Sequence, residues 1–196
     1  MGKNYDALHY IRDQLNGYDE KLVSAAQKLF NIEDQCKEAQ GCVIDSVVLL
    51  LLFKKFGIDA NLHLGEMCAD GEQDAYHCWL TINGKIIDYG IYGNSNYNPY
   101  YRGTKLREPI IFDVPNGIKY ADGSTENESW LAQLSGKSVC DYVKGCPQNR
   151  VFKLFCKSLE IADNNENKEM VYALAKDSFF PILKHIDNSP SGHGGI

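Results

Sequence analysis

Gly41-Cys42-Val43-Ile44-Asp45-Ser46-Val47-Val48-Leu49-Leu50-Leu51-Leu52-Phe53-Lys54-Lys55-Phe56-Gly57 is the stretch that decides the architecture. From Cys42 to Phe56 apolar residues fall on every side, and the run is too long for a strand. It reads as a helix that is apolar all round, which must be surrounded by the rest of the protein. Lys54 and Lys55 suit the negative end of its dipole, and Gly57 suits the position just past its last turn. Its uninterrupted apolar part, Val47 to Phe53, is far shorter than the ~20 residues that a membrane span needs.

C-terminal to this helix the period changes to two. Ile58, Ala60, Leu62 and Leu64 alternate with polar residues as a strand does, and a polar loop is expected over 65–75. Tyr76 to Ile82 and Lys85 to Tyr89 form a hairpin about Asn83-Gly84, a dipeptide that favours the two-residue turn. A turn centred there pairs each residue with the one whose number brings the sum to 167, so His77 faces position 90 and Asp88 faces Trp79. N-terminal to it, helices are expected over 5–15 and 19–30, with a loop over 31–41. Further on, a Gly-, Asn- and Tyr-rich loop is expected over 90–108, a strand over 109–114 and turns over 115–127, followed by helices near 128–134, 147–161 and 166–186. The fold class is α+β: a core with N-terminal helices over 1–114, a helical extension over 115–187 packed on the same domain, and a disordered tail over 188–196.

The composition fits this picture. A chain of 196 residues, 44% hydrophobic and 23% charged, is one globular domain's worth of sequence. Twenty basic against 26 acidic residues give a net charge of −6, which argues against nucleic-acid and membrane partners and favours a neutral or basic ligand. Seven cysteines are an odd count, so at least one thiol is free. The N-terminus is polar with no apolar leader, so a cytoplasmic location with reduced thiols is expected.

Three residues then stand out together. Cys42 opens the buried helix, where a positive dipole end and unpaired backbone N–H groups favour a thiolate and can hold an oxyanion. His77 lies on the first hairpin strand and can serve as base and then acid. Asp88 ends the second strand on the same sheet face, diagonal to His77, and can orient the imidazole. Each residue type alone has an ordinary structural explanation; the conjunction points to a cysteine nucleophile.

Gly41-Cys42-Val43-Ile44-Asp45-Ser46, the run Leu49 to Lys55, Gly57-Ile58-Asp59-Ala60, Gly65, His77-Cys78-Trp79-Leu80, Asn83-Gly84-Lys85 and Asp88 together resemble the core of the transglutaminase-like cysteine-enzyme superfamily. The Cys-x-x-x-Ser start and the His-x-Trp…Asn-Gly hairpin are most similar to the leader-peptide proteases of lasso-peptide maturation. The resemblance spans about residues 36–90. It implies a papain-like core with Cys42 as nucleophile, His77 as base and Asp88 as orienter, acting on a peptide or protein substrate by acyl transfer. Hydrolysis is the outcome that the resemblance favours, with glutamine transamidation or deamidation, or an inactive peptide-binding relic, as alternatives. Asp45 departs from the basic residue of that protease branch, and Cys78 from its usual Ala.

Other residues are weaker candidates. Gln35 and Gln40 are potential oxyanion-hole donors or solvent-facing loop residues. Trp79, Tyr89, Tyr92, Tyr97 and Tyr100 are candidate substrate contacts, the tyrosines forming either a binding rim or a cover on the sheet. His63, Cys68, His77 and Cys78 lack the paired spacing of a zinc site, so no metal is expected. No phosphate loop is present and no cofactor is expected. Nothing in the sequence sets an oligomeric state.

Overall fold

A computed structural model describes residues 3–36, 41–69, 75–97, 105–124 and 130–186. Two helices, α1 (Lys3–Gln14) and α2 (Glu20–Cys36), precede the buried helix α3 (Cys42–Lys55). Three strands follow, β1 (Asn61–Ala69), β2 (Ala75–Ile82) and β3 (Lys85–Asp88), then a helix α4 (Gly90–Tyr97) and two more strands, β4 (Ile110–Ile111) and β5 (Ile118–Asp122). Helices α5 (Val139–Gly145), α6 (Arg150–Leu159) and α7 (Asn165–Ala175) complete the chain, with a short 3-10 turn over Trp130–Gln133. Helices pack on an antiparallel sheet, so the class is α+β.

α3 is central because its sequence leaves it no polar face. Every residue from Val47 to Phe53 is buried, and in its first turn only Ile44 is half-exposed. It lies against α2, α6, α7 and β2. Fully burying one Leu of this kind contributes about 1.5–3 kcal/mol. α6 supplies a complementary stripe, Val151, Phe152, Leu154, Phe155 and Ser158, at helical spacing.

The sheet order is β4-β3-β2-β1-β5, antiparallel throughout. Leu80 pairs with Ile87 and Ile82 with Lys85, the register that the Asn-Gly turn fixes. Asn83 at φ 51° and Gly84 at φ 75° give that turn two left-handed residues, as its twist requires. The sheet is curled. Met67 of β1 and Ile110 of β4 share one small buried cluster with Ile91, although two strands separate them.

The structure corrects several expected boundaries. α2 continues through the expected loop to Cys36, because Glu33 turns inward on it and is buried. β1 runs to Ala69 through the first part of the expected 65–75 loop, since Met67 enters the curled face. The expected loop 90–108 begins with a helix, α4. The expected turns over 115–127 contain β5, so the sheet takes an edge strand from beyond residue 114. The helix expected over 166–186 stops at Ala175; the segment beyond it is extended, bridging Ser138 at Phe179 and Ser124 at His185, with Pro181 unable to continue a helix. The tail over 188–196 lies outside the described residues.

β1 and β5 approach closely at Gly65, where a Cβ would lie 1.9 Å from the Ala121 carbonyl oxygen. The Gly65→Ala protein should therefore lose roughly 1–3 kcal/mol of stability as β5 is pushed away. Urea unfolding measures this, and an unchanged midpoint would contradict the described contact.

Candidate active site

The site is assembled at the N-terminus of α3. Gly41 adopts φ 96°, a left-handed value that only glycine takes cheaply, and it turns the chain into the helix without a side-chain cap. The first helical hydrogen bond is Asp45 N–H to Gly41 O at 3.2 Å. The amides of Cys42, Val43 and Ile44 precede it, so they lack the intrahelical acceptor of interior residues. Cys42 begins the helix and is 6% exposed.

His77 on β2 and Asp88 at the end of β3 are both 0% exposed. His77 Nε2 meets Asp88 Oδ2 at 2.6 Å. This is the diagonal pairing that the hairpin register requires, since Trp79 lies opposite Asp88 when the Leu80–Ile87 register is extended by one residue. Asp88 Oδ1 accepts the Ile91 N–H at 3.0 Å, and Oδ2 also accepts the Tyr120 hydroxyl at 2.7 Å. The bond to Ile91 is an N-terminal helix cap, and it explains why the Gly- and Asn-rich segment after Asp88 folds into α4. One carboxylate therefore orients the imidazole and starts a helix.

Several contacts fix Cys42 against this pair. Ser46, one turn along α3, donates to the Cys78 carbonyl at 2.9 Å and so clamps the helix to the strand that carries His77. Gly90 lies against Cys42; a Cβ there would be 2.5 Å from Cys42 Cα. With Nε2 engaged by Asp88, Nδ1 of His77 remains, buried and with no other hydrogen-bond partner. Burial disfavours the charged imidazole, but the Asp88 carboxylate and the Cys42 sulfur, each by charge and hydrogen bonding, outweigh it and push His77 up to about 10. Cys78 faces the helix, where burial pushes its thiol up and keeps it neutral.

The stacked rings of His77 and Trp79, 6.4 Å apart and 14° from parallel, continue to His63 at 5.4 Å and 11°. His63 Nδ1 meets Asp122 at 2.8 Å and Nε2 meets Thr81 at 2.9 Å, so both its nitrogens serve a cross-strand clamp.

The other candidates fall elsewhere. Gln35 is exposed on α2. Gln40 and Tyr100 lie outside the described residues, as does the side chain of Tyr97. Tyr89, Tyr92 and Trp79 are not a rim: all three are buried. Tyr89 donates to the Ala26 carbonyl and meets Phe30 edge-on, and Tyr92 packs on Phe30 and donates to Asp34 at 2.7 Å. Because 90–97 is a helix rather than a loop, these rings turn toward α2 and fasten α4 to it. Tyr120 was not singled out in the sequence. Its signal was the alternation of Ile118 and Tyr120 between Gly117 and Gly123, hidden by the shortness of the strand.

Residues 14–102 match the family model of the transglutaminase-like superfamily. The match spans α2 through α4 and contains Cys42, His77 and Asp88, so this segment of the α+β fold is similar to that superfamily. No curated protein and no solved structure matches the chain. Among the described residues no helix is long and apolar enough to cross a membrane.

Beneath this site lies a buried acid pair. Asp45, one turn after Cys42, faces Glu33 of α2. Burial pushes Asp45 up to about 7; the neighbouring Glu33 opposes this, the Asp88 charge adds to it, and Arg150 and His77 oppose it. A carboxyl whose folded value exceeds its unfolded value near 3.8 stabilises the fold below that value and loses this contribution as pH rises through about 7. The Asp45→Asn protein should lack that loss, melting higher than the natural protein at pH ~8 and with a flatter dependence between about 4 and 7. Parallel declines for the two proteins in thermal melts would contradict the assignment.

Proposed function

We propose that the protein is a cysteine acyl-transfer enzyme that hydrolyses a peptide or amide bond, with Cys42 as nucleophile, His77 as acid–base and Asp88 as orienter. The observation that carries this reading is the buried His77–Asp88 pair at 2.6 Å, with His77 also coupled to Cys42. Transglutaminase-like proteins are generally cysteine acyl-transfer enzymes with a Cys-His-Asp set, and the matched segment holds all three residues. The peptidase outcome rests on the likeness of the Cys-x-x-x-Ser helix start and the His-x-Trp hairpin to leader-peptide proteases.

In this reading the Cys42 proton already rests on His77 Nδ1 before substrate binds, and Asp88 holds that imidazolium through Nε2. The sulfur attacks the substrate carbonyl carbon. The oxyanion is received by amides of the uncapped α3 terminus, where the helix dipole also favours negative charge. Collapse of the tetrahedral intermediate breaks the C–N bond, and His77 returns its proton to the leaving amine. A water then gives a proton to His77 and adds to the thioester carbonyl. The Cys42 sulfur leaves beside the reprotonated His77, which restores the starting pair, and the acid product is released. A neutral, buried Cys78 beside His77 does not compete for this role.

Iodoacetamide near neutral pH should label Cys42 ahead of Cys68, although Cys68 is the more exposed thiol. The His77→Ala substitution should slow Cys42 labelling by roughly 10²-fold or more. Mass spectrometry of the labelled peptides measures both, and equal labelling of Cys42 and Cys68 in the natural protein would overturn the reading.

A further inference from the structure

We propose that Tyr120 is a positioning residue of this site: its hydroxyl fixes the Asp88 carboxylate, and through it the His77 imidazole, from the far edge of the curled sheet. The proposal rests on the acyl-transfer reading above. Tyr120 belongs to β5, which lies outside the segment matched to the superfamily.

The geometry is specific. Asp88 is on β3 and Tyr120 on β5, with β2 and β1 between them in the sheet. A hydroxyl reaches from one to the other only because the sheet curls, and the Met67–Ile91–Ile110 cluster, on which the Tyr120 ring also packs, is the filling of that curl. The register places Tyr120 opposite Met67, and Asp122 opposite Gly65, which in turn faces His77. Gly65 presents no side chain between His77 and β5, and the Tyr120 ring lies 6.2 Å from the His77 ring and 5.0 Å from Trp79. The strand is held in place independently. Asp122 meets His63, Gly123 N–H bonds the Leu64 carbonyl at 3.0 Å, and Ser124 bonds both Lys184 and Ile186.

The hydroxyl completes the coordination of a buried carboxylate. Asp88 Oδ1 is held by the Ile91 amide and Oδ2 by His77 and Tyr120. A carboxylate held on both oxygens has one rotamer, and the imidazole bonded to it has one ring orientation. Hydrogen bonds to an ionised group are the strong kind, so a missing donor here is not replaced cheaply. Without the hydroxyl, Oδ2 can rotate away from the line to Nε2. His77 Nδ1 then loses its aim at Cys42.

Tyr120→Phe tests this, because it keeps the ring contacts with Trp79 and His77 and removes only the hydroxyl. Two readouts apply. The first is the rate of Cys42 alkylation by iodoacetamide at about pH 6, where reaction requires the imidazole partner, and at about pH 10, where a thiol ionises unaided. We expect a fall of about tenfold at the lower pH and a change within about twofold at the higher. The second is the downfield proton resonance of the His77–Asp88 hydrogen bond, which should shift. Asp122→Asn, on the same strand, should leave both readouts as in the natural protein, and thermal melts verify that each variant is folded. An unshifted resonance, or equal rate losses at the two pH values, overturns the role of Tyr120. If Cys42 of the natural protein reacts no faster than Cys68, the acyl-transfer reading fails, and the resonance alone decides whether Tyr120 holds Asp88.

Discussion

The arrangement depends on one buried ion pair, His77 with Asp88. Neither side chain reaches solvent, and burying a charge without a partner costs several kcal/mol. The pair is therefore tolerated only where its remaining hydrogen-bonding positions are filled. Asp88 fills its own with the Ile91 amide and the Tyr120 hydroxyl, which ties two further elements, α4 and β5, to the same carboxylate. His77 has one nitrogen left, Nδ1, buried and without a hydrogen-bond partner, and the nearby Cys42 sulfur helps to hold the ring charged. Loss of Asp88 would leave an uncompensated imidazole, an uncapped helix and an unanswered tyrosine at once.

The helix α3 has two tasks that its sequence separates along its length. From Val47 onward it is core, and its apolar girth collects α2, α6 and β2 around it. Its first turn is polar chemistry: a glycine entry, Cys42, the acid Asp45 and the Ser46 clamp onto β2. The close approach of Gly90 to Cys42 and the anchoring of Tyr89 and Tyr92 on α2 close the frame around the thiol. Asp45 stands apart from this economy. It is an acid buried against another acid, and its charge costs stability at the pH where the triad reading needs His77 cationic.

Much of this was legible in the sequence because strong local signals set it. The run over 42–56, apolar on every side, set the central helix, and Asn83-Gly84 set the register that brings His77 and Asp88 onto one face. What could not be read depended on tertiary contacts. α4 has poor intrinsic helix formers, Gly90, Gly93, Asn94 and Asn96, and forms on the Asp88 cap and on burial of Ile91 and Tyr92. Tyr89 and Tyr92, for which the sequence left a binding rim and a cover on the sheet both open, are therefore core. β5 is five residues between glycines, and only its pairing with β1 makes it a strand. Tyr120 followed it out of view.

The central claim is that His77 is held as an imidazolium between Asp88 and Cys42. Its most direct test is a ¹⁵N NMR titration of the His77 ring. Both ring nitrogens should remain protonated at neutral pH and lose a proton only near pH 10, with the neutral form appearing at lower pH in the Cys42→Ala protein. Titration of His77 in the natural protein near 6.5, the value of an unperturbed histidine, would contradict the account.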